Sequence, residues 1–163
     1  MTVPGRSTQR LIDDLVASRT DLLEALDRLD SSSLTTPGLV GEWSARELIA
    51  HLGYWVGHAV EVIHAAEEGR INEIDQDAPP TDDMNAIVAR VARDTDWATV
   101  RKRESASVEA LLERLRRLDP GLLDMRLPDG ATLEAGIDED AGAHYREHAD
   151  DLSRGFEGAA GHD

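Results

Sequence analysis

Apolar residues recur at three- and four-residue spacing in long segments of this chain and nowhere alternate with period two. Between Thr8 and Leu29, a stripe of Leu11, Ile12, Leu15, Val16, Leu22, Leu23, Leu26 and Leu29 excludes Asp13, Asp14, Asp21, Glu24, Asp27 and Arg28, which predicts a first helix. It ends in DSSSLTTPG, where Ser and Thr compete for backbone hydrogen bonds and Pro37-Gly38 turns the chain. A second helix is predicted from Ser44 to about Glu68, with Gly69 as its C-terminal cap. Its start is fully signalled: Ser44 caps the first turn, Glu47 reaches back to the Ser44 N–H, and Trp43 precedes the cap to pack on Leu48. Leu48, Leu52, Trp55, Val56, Ala59 and Ile63 then commit one face to a core.

The stretch RINEIDQDAPPTDD has weak periodicity and a Pro-Pro pair, and reads as a crossover loop. A third helix starts near Thr81 with Met84, Ile87, Val88 and Val91 on its apolar face. That face blurs before Val108, Leu111, Leu112, Leu115 and Leu118 restore it, so a break or kink is expected near Asp94 to Trp97. Pro120-Gly121 stops the helix, and MRLPDGATLEAG reads as a loop with a tight Asp129-Gly130 turn and a short extended piece. The last helix is expected from Asp138 to about Phe156, its acidic first turn of Asp138, Glu139 and Asp140 suiting the positive end of the helix dipole. Residues from about 158 to 163 read as a frayed tail in which His162 is solvated. Four amphipathic segments without strand patterning predict an all-α fold, a four-helix bundle forming a single domain over residues 1–163. The two long connections fit a bundle with at least one parallel pair of neighbours.

Composition narrows the chemistry. A chain of 163 residues with 40% apolar content supports one real core. It contains no cysteine, which excludes disulfides, thiolate metal sites and a protein-borne thiol nucleophile. The net charge of −16 repels phosphate backbones and argues against nucleic-acid binding, while serving as an ordinary solubilising surface. No long apolar run and no signal-peptide pattern appear, so a cytoplasmic protein without membrane association is expected. A phosphate-binding glycine loop and a GxSxG nucleophile are likewise absent.

Histidine carries the remaining signal. His144 and His148 are four residues apart, the spacing that stacks two imidazoles on one helical face. His51 lies on the edge of the apolar face of the second helix, and a third imidazole from another helix allows convergence on one divalent ion with coordination positions left open. At about 100° per residue, His58 lies about 20° from His51 two turns on. It reads as a satisfied histidine of the bundle edge, or else as a residue approaching the site or a substrate pocket, and His64, rotated well away, has no assigned role. Asp140 and Asp151 fall near the His144/His148 face, either as surface carboxylates or as orienting partners. Trp43 and Trp55 read as core packing, and Tyr54 and Tyr145 as packing residues or proton donors.

The motif GEWSARELIAHLGYW, followed towards the C-terminus by HYREH, resembles the DinB/YfiT-like superfamily, which includes mycothiol-dependent maleylpyruvate isomerases. The resemblance implies a four-helix bundle in up-down-down-up order that holds a divalent metal, nickel or zinc, through His51, His144 and His148. In the isomerase branch the first ligand of the last helix is commonly glutamate. His144 therefore places this chain nearer the general three-histidine pattern and away from maleylpyruvate as substrate. The implied function is a metal-dependent enzyme, activating water or a low-molecular-weight thiol such as mycothiol or bacillithiol for transfer, isomerisation or hydrolysis. A chain without cysteine must import that thiol. The alternatives are a non-catalytic module that binds a small molecule, or a structural homodimer.

Overall fold

The computed structural model describes residues 6–160, with side chains described for residues 8–154. It is all-helical: α1 (Arg6–Asp27), α2 (Ala45–Glu67), α3 (Thr81–Arg93), α4 (Trp97–Arg117), α5 (Leu133–Asp140) and α6 (Gly142–Ala160), joined by short 3-10 turns. No strand is present among the described residues; two isolated bridges, Val40 with Trp43 and Arg126 with Thr132, tighten the turns before α2 and before α5. No helix among them is long and apolar enough to cross a membrane. Helices α1, α2, α4 and α6 form the bundle, with α2 packed chiefly on α4 and α1 on α6, while α3 leans on α2 and α5 sits between α2 and α6. The predicted stripes of α1, α2 and α4, apart from the exposed Val16 and from Trp55, meet Tyr145 and Leu152 of α6 in one core that includes Leu15, Leu22, Leu48, Leu52, Leu111 and Leu115.

The start of α2 follows its sequence signal. The Ser44 side chain accepts from the Glu47 N–H while Glu47 accepts from the Ser44 N–H, closing the capping box. At the other end Gly69 has φ +73, and the N–H groups of Gly69 and Arg70 donate to the carbonyls of Ala66 and Ala65. That pairing satisfies two otherwise orphaned helix-end acceptors and requires a residue at ease in the left-handed region. The break expected between Asp94 and Trp97 is real. Asp96 caps a new helix by accepting from the Thr99 N–H at 3.1 Å, so α3 and α4 are separate elements.

The expected start of the last helix is corrected. Asp138, Glu139 and Asp140 close α5 rather than open the final helix, and Ala141, with φ −122 and ψ −105, interrupts the chain before α6. Thr132 caps α5 by accepting from the Ala135 N–H at 3.1 Å, and Leu133 and Ile137 are buried, so this turn has its own start signal and its own apolar face. A Cβ at Gly142 would lie 3.2 Å from the Cβ of Asp14, which shows how closely α6 begins against α1. Helix α6 also continues to Ala160, into the segment expected to fray. His162 lies outside the described residues.

Candidate metal centre

Helices α2 and α6 bring His51, His144 and His148 together, with candidate ligand atoms all within 4.8 Å of one another. His51 Nε2 stands 2.8 Å from His144 Nε2, which stands 3.1 Å from His148 Nε2. His51 is 5% exposed, more enclosed than an edge position suggests, because the Trp43 ring covers it with centroids 4.7 Å apart. The Trp43 that was expected to staple α2 is therefore also a wall of this cluster. Burial, reinforced by the neighbouring imidazoles, pushes the His51 pKa down to about 3 and that of His144 down to about 4. Both are neutral at pH 7, the state a ligating imidazole needs.

The donor set fits an ion on its own chemistry. A neutral ring nitrogen carries either one hydrogen or one lone pair, so His144 Nε2 cannot satisfy both of the nitrogens that face it. An ion would accept a lone pair from each of the three imidazoles, and ligation through Nε2 would leave each proton on Nδ1. His148 supports that tautomer, since its Nδ1 is 3.1 Å from Asp151 Oδ2, and Arg154 in turn holds Asp151. The Nδ1 atoms of His51 and His144 are buried without a hydrogen-bond partner among the described residues. His51, His144 and His148 would hold such an ion, which would supply a Lewis acid at the meeting point of α2 and α6.

Asp140 serves elsewhere. It lies 2.6 Å from His58 Nδ1, while Asp75 lies 2.8 Å from His58 Nε2, so His58 is clamped between two carboxylates. Burial opposes its charge, but the hydrogen bonds and charges of Asp140 and Asp75 outweigh it and raise the pKa to about 9. This is the satisfied histidine expected from the sequence, and it borders a 410 Å³ cavity between α2 and α5. A second cavity, of 350 Å³, lies among α2, α3 and α4, and none of the three clustered histidines lines either one. His64 pairs with Glu68 at the surface, and Trp55 donates its indole N–H to Asn85 at 2.8 Å.

The sequence reading missed a buried polar network around Glu104. Glu104, 1% exposed, accepts from both Nε and Nη2 of Arg19 and, at 2.6 Å, from the hydroxyl of Tyr145. The three side chains tie α1, α4 and α6 together next to His144. A buried carboxylate is tolerable only with such complete pairing. Burial and the adjacent Glu104 push the Tyr145 pKa well up, so the phenol stays a hydrogen-bond donor. Of the two roles left open for Tyr145, it takes a packing position with a satisfied hydroxyl.

Residues 14–151, which include the cluster, the buried network and all or part of every bundle helix, match the family model of the DinB superfamily. The chain belongs to the DinB superfamily. Its all-α fold is that of the superfamily, and the three histidines expected from the family pattern are the ones the fold brings together. This DinB fold is shared with an uncharacterised protein of Escherichia coli UTI89, whose crystal structure aligns with TM-score 0.76 over 94% of each chain at 12% identity. At that identity the likeness shows the fold alone. Comparison with curated proteins gave no match.

Proposed function

We propose that this DinB-superfamily chain is a metal-dependent enzyme, holding one divalent transition metal, nickel or zinc, through His51, His144 and His148. Its reaction is transfer, isomerisation or hydrolysis by activated water or by a low-molecular-weight thiol of the mycothiol or bacillithiol kind. The observation that carries the reading is the convergence of three Nε2 atoms from two helices at separations that side-chain hydrogen bonding alone cannot satisfy. Imidazole donors favour nickel, zinc or copper over magnesium or calcium. When bound, such an ion supplies a Lewis acid that makes a water or thiol presented to it more acidic.

The chain's own residues prepare the site. His51 and His144 stay neutral because they are buried, so their lone pairs are available at pH 7. Asp151 fixes the tautomer of His148, and Trp43 excludes water from one side of His51. A thiol, where one is used, comes from outside because the chain has no cysteine.

The test is tag-free protein, reconstituted with nickel or zinc, given electrophiles and a panel of low-molecular-weight thiols. One ion per chain and turnover with at least one thiol, or of a hydrolysable substrate, is the expected result. Retention no better than that of a His144→Ala, His148→Ala double variant would overturn the metal reading. Metal retained without turnover would make a non-catalytic binding module the better account.

A further inference from the structure

Helix α3 carries an apolar stripe that the core does not use. Met84, Ile87, Val88 and Val91 follow i, i+3, i+4, i+7 spacing, yet none of them belongs to the core or to the apolar residues packed against it; the buried residues of α3 are Ala89 and Ala92. Ile87 is 39% and Val91 53% exposed, two of the three large exposed apolar side chains among the described residues. The stripe lines the 350 Å³ cavity, whose opposite walls come from α2 and α4. Such a volume is that of a small-molecule pocket, at the lower end of the usual range of about 300–1,000 Å³.

The polar groups of the cavity define what it would recognise. Tyr54, Ser107 and Arg103 all line it, and none of the three makes a side-chain hydrogen bond or an ion pair among the described residues. Burial raises the Tyr54 pKa, so its hydroxyl is a donor. Glu104, the cavity's carboxylate, is already spent on Arg19 and Tyr145. Asp96, the residue that caps α4, interacts electrostatically with Arg103 without approaching to ion-pair distance. The cavity thus offers an apolar wall, two free hydroxyls and one free guanidinium, in a protein whose overall charge is −16.

We propose that this recess is a binding site, separate from the histidine cluster, for a small amphipathic monocarboxylate. Its hydrocarbon body lies along Met84, Ile87, Val88 and Val91, and its carboxylate meets Arg103 with the Tyr54 and Ser107 hydroxyls alongside. The charge argument favours this occupant over a second copy of the chain. The overall field repels anions and attracts cations, so an exposed arginine without an ion-pair partner, beside an apolar wall, is a local exception that selects a carboxylate head.

The test is calorimetric titration of the full chain with hexanoate, octanoate and decanoate below their micellar concentrations, with decanol and decyltrimethylammonium as neutral and cationic counterparts. Affinity is expected to rise about fourfold per added methylene until the cavity is full. Decanoate should bind about tenfold tighter than decanol, and Arg103→Gln should erase that difference while leaving decanol unchanged. Val91→Asp, at an exposed position, should abolish decanoate binding with the circular dichroism spectrum unchanged. Equal binding of decanoate and the cationic amphiphile, or decanoate binding indifferent to both substitutions, would overturn the proposal. So would sedimentation showing a dimer that Val91→Asp dissociates, together with no decanoate binding, since the stripe would then be a self-association face.

Discussion

His51 and His58 lie two turns apart on nearly the same edge of α2, and the fold gives them opposite electrical lives. His51 is enclosed by Trp43 and two further imidazoles, and burial holds its pKa near 3. His58 is held between Asp75 and Asp140, and their carboxylates raise its pKa to about 9. At neutral pH one is a free base with a lone pair to donate and the other is a cation. Position on the helical wheel placed both near the same surface; what decides their chemistry is the partner that the rest of the chain delivers. The break at Ala141 makes the division. It separates Asp140, which turns to His58, from His144, which turns to His51.

The largest expected effect separates the two clusters by metal uptake. His144→Ala with His148→Ala should reduce retained nickel or zinc to background on elemental analysis, whereas His58→Gln should leave it unchanged. Loss of metal in the His58 variant would show that the two groups are one site.

A smaller effect tests the orienting partner. Asp151→Asn should weaken metal affinity about 10- to 100-fold in competition titrations with a chelator, because the Nδ1–H of His148 loses its charged acceptor. Unchanged affinity would reduce Asp151 to a surface partner of Arg154.

The clusters should also answer to pH in opposite directions. The folded pKa of His58, about 9, exceeds the unfolded value near 6.5, so its stabilisation is complete below about 6.5 and fades as pH rises through about 9. Allowing for the half-exposed Asp75, this amounts to about 1–2 kcal/mol. His51 and His144 have folded pKa values of about 3 and 4, below their unfolded value, so metal-free protein should lose stability as pH falls from about 6.5 towards 4. Thermal midpoints from pH 5 to 10 check both arms. His58→Gln should remove the alkaline decline and keep the acid one; an alkaline decline that persists would assign it to other groups.

The smallest effect concerns the helix that carries both histidines. Ser44→Ala removes the cap of α2 and should cost about 1 kcal/mol in denaturant melts, with metal uptake unchanged.

The helices and the His144/His148 pair were legible because each rests on short-range regularity, whereas His51 joined them through the resemblance of its motif to the family. The Ser44/Glu47 box, the break before Trp97 and the four-residue spacing of His144 and His148 can all be read in a window of a few turns. The division of α5 from α6 was not legible in the same way. An acidic run of Asp138, Glu139 and Asp140 suits a helix start by the dipole argument, and only the packing of Leu133 and Ile137 and the approach of Gly142 to Asp14 show that it is an end. Glu104 was hidden for a related reason. It stands in a charged stretch that looks solvated, and its burial depends on Arg19 and Tyr145, which no local pattern connects to it.

That dependence bears on how the chain is made. Arg19 finds its carboxylate 85 positions later, Glu104 its phenol 41 positions after that, and His51 its nearest imidazole 93 positions away. Contacts at such separations meet their loop-closure entropy before any reward, and so form late. While the chain is leaving the ribosome, α1 and α2 carry half of each assembly, a guanidinium without its carboxylate and an imidazole without its companions. Both wait for α6. A nascent chain arrested before Gly142 would hold Arg19 and Glu104 but lack the Tyr145 phenol and two of the three histidines together, so the emergence of one late helix completes both the tie between the helices and the readiness to take up an ion.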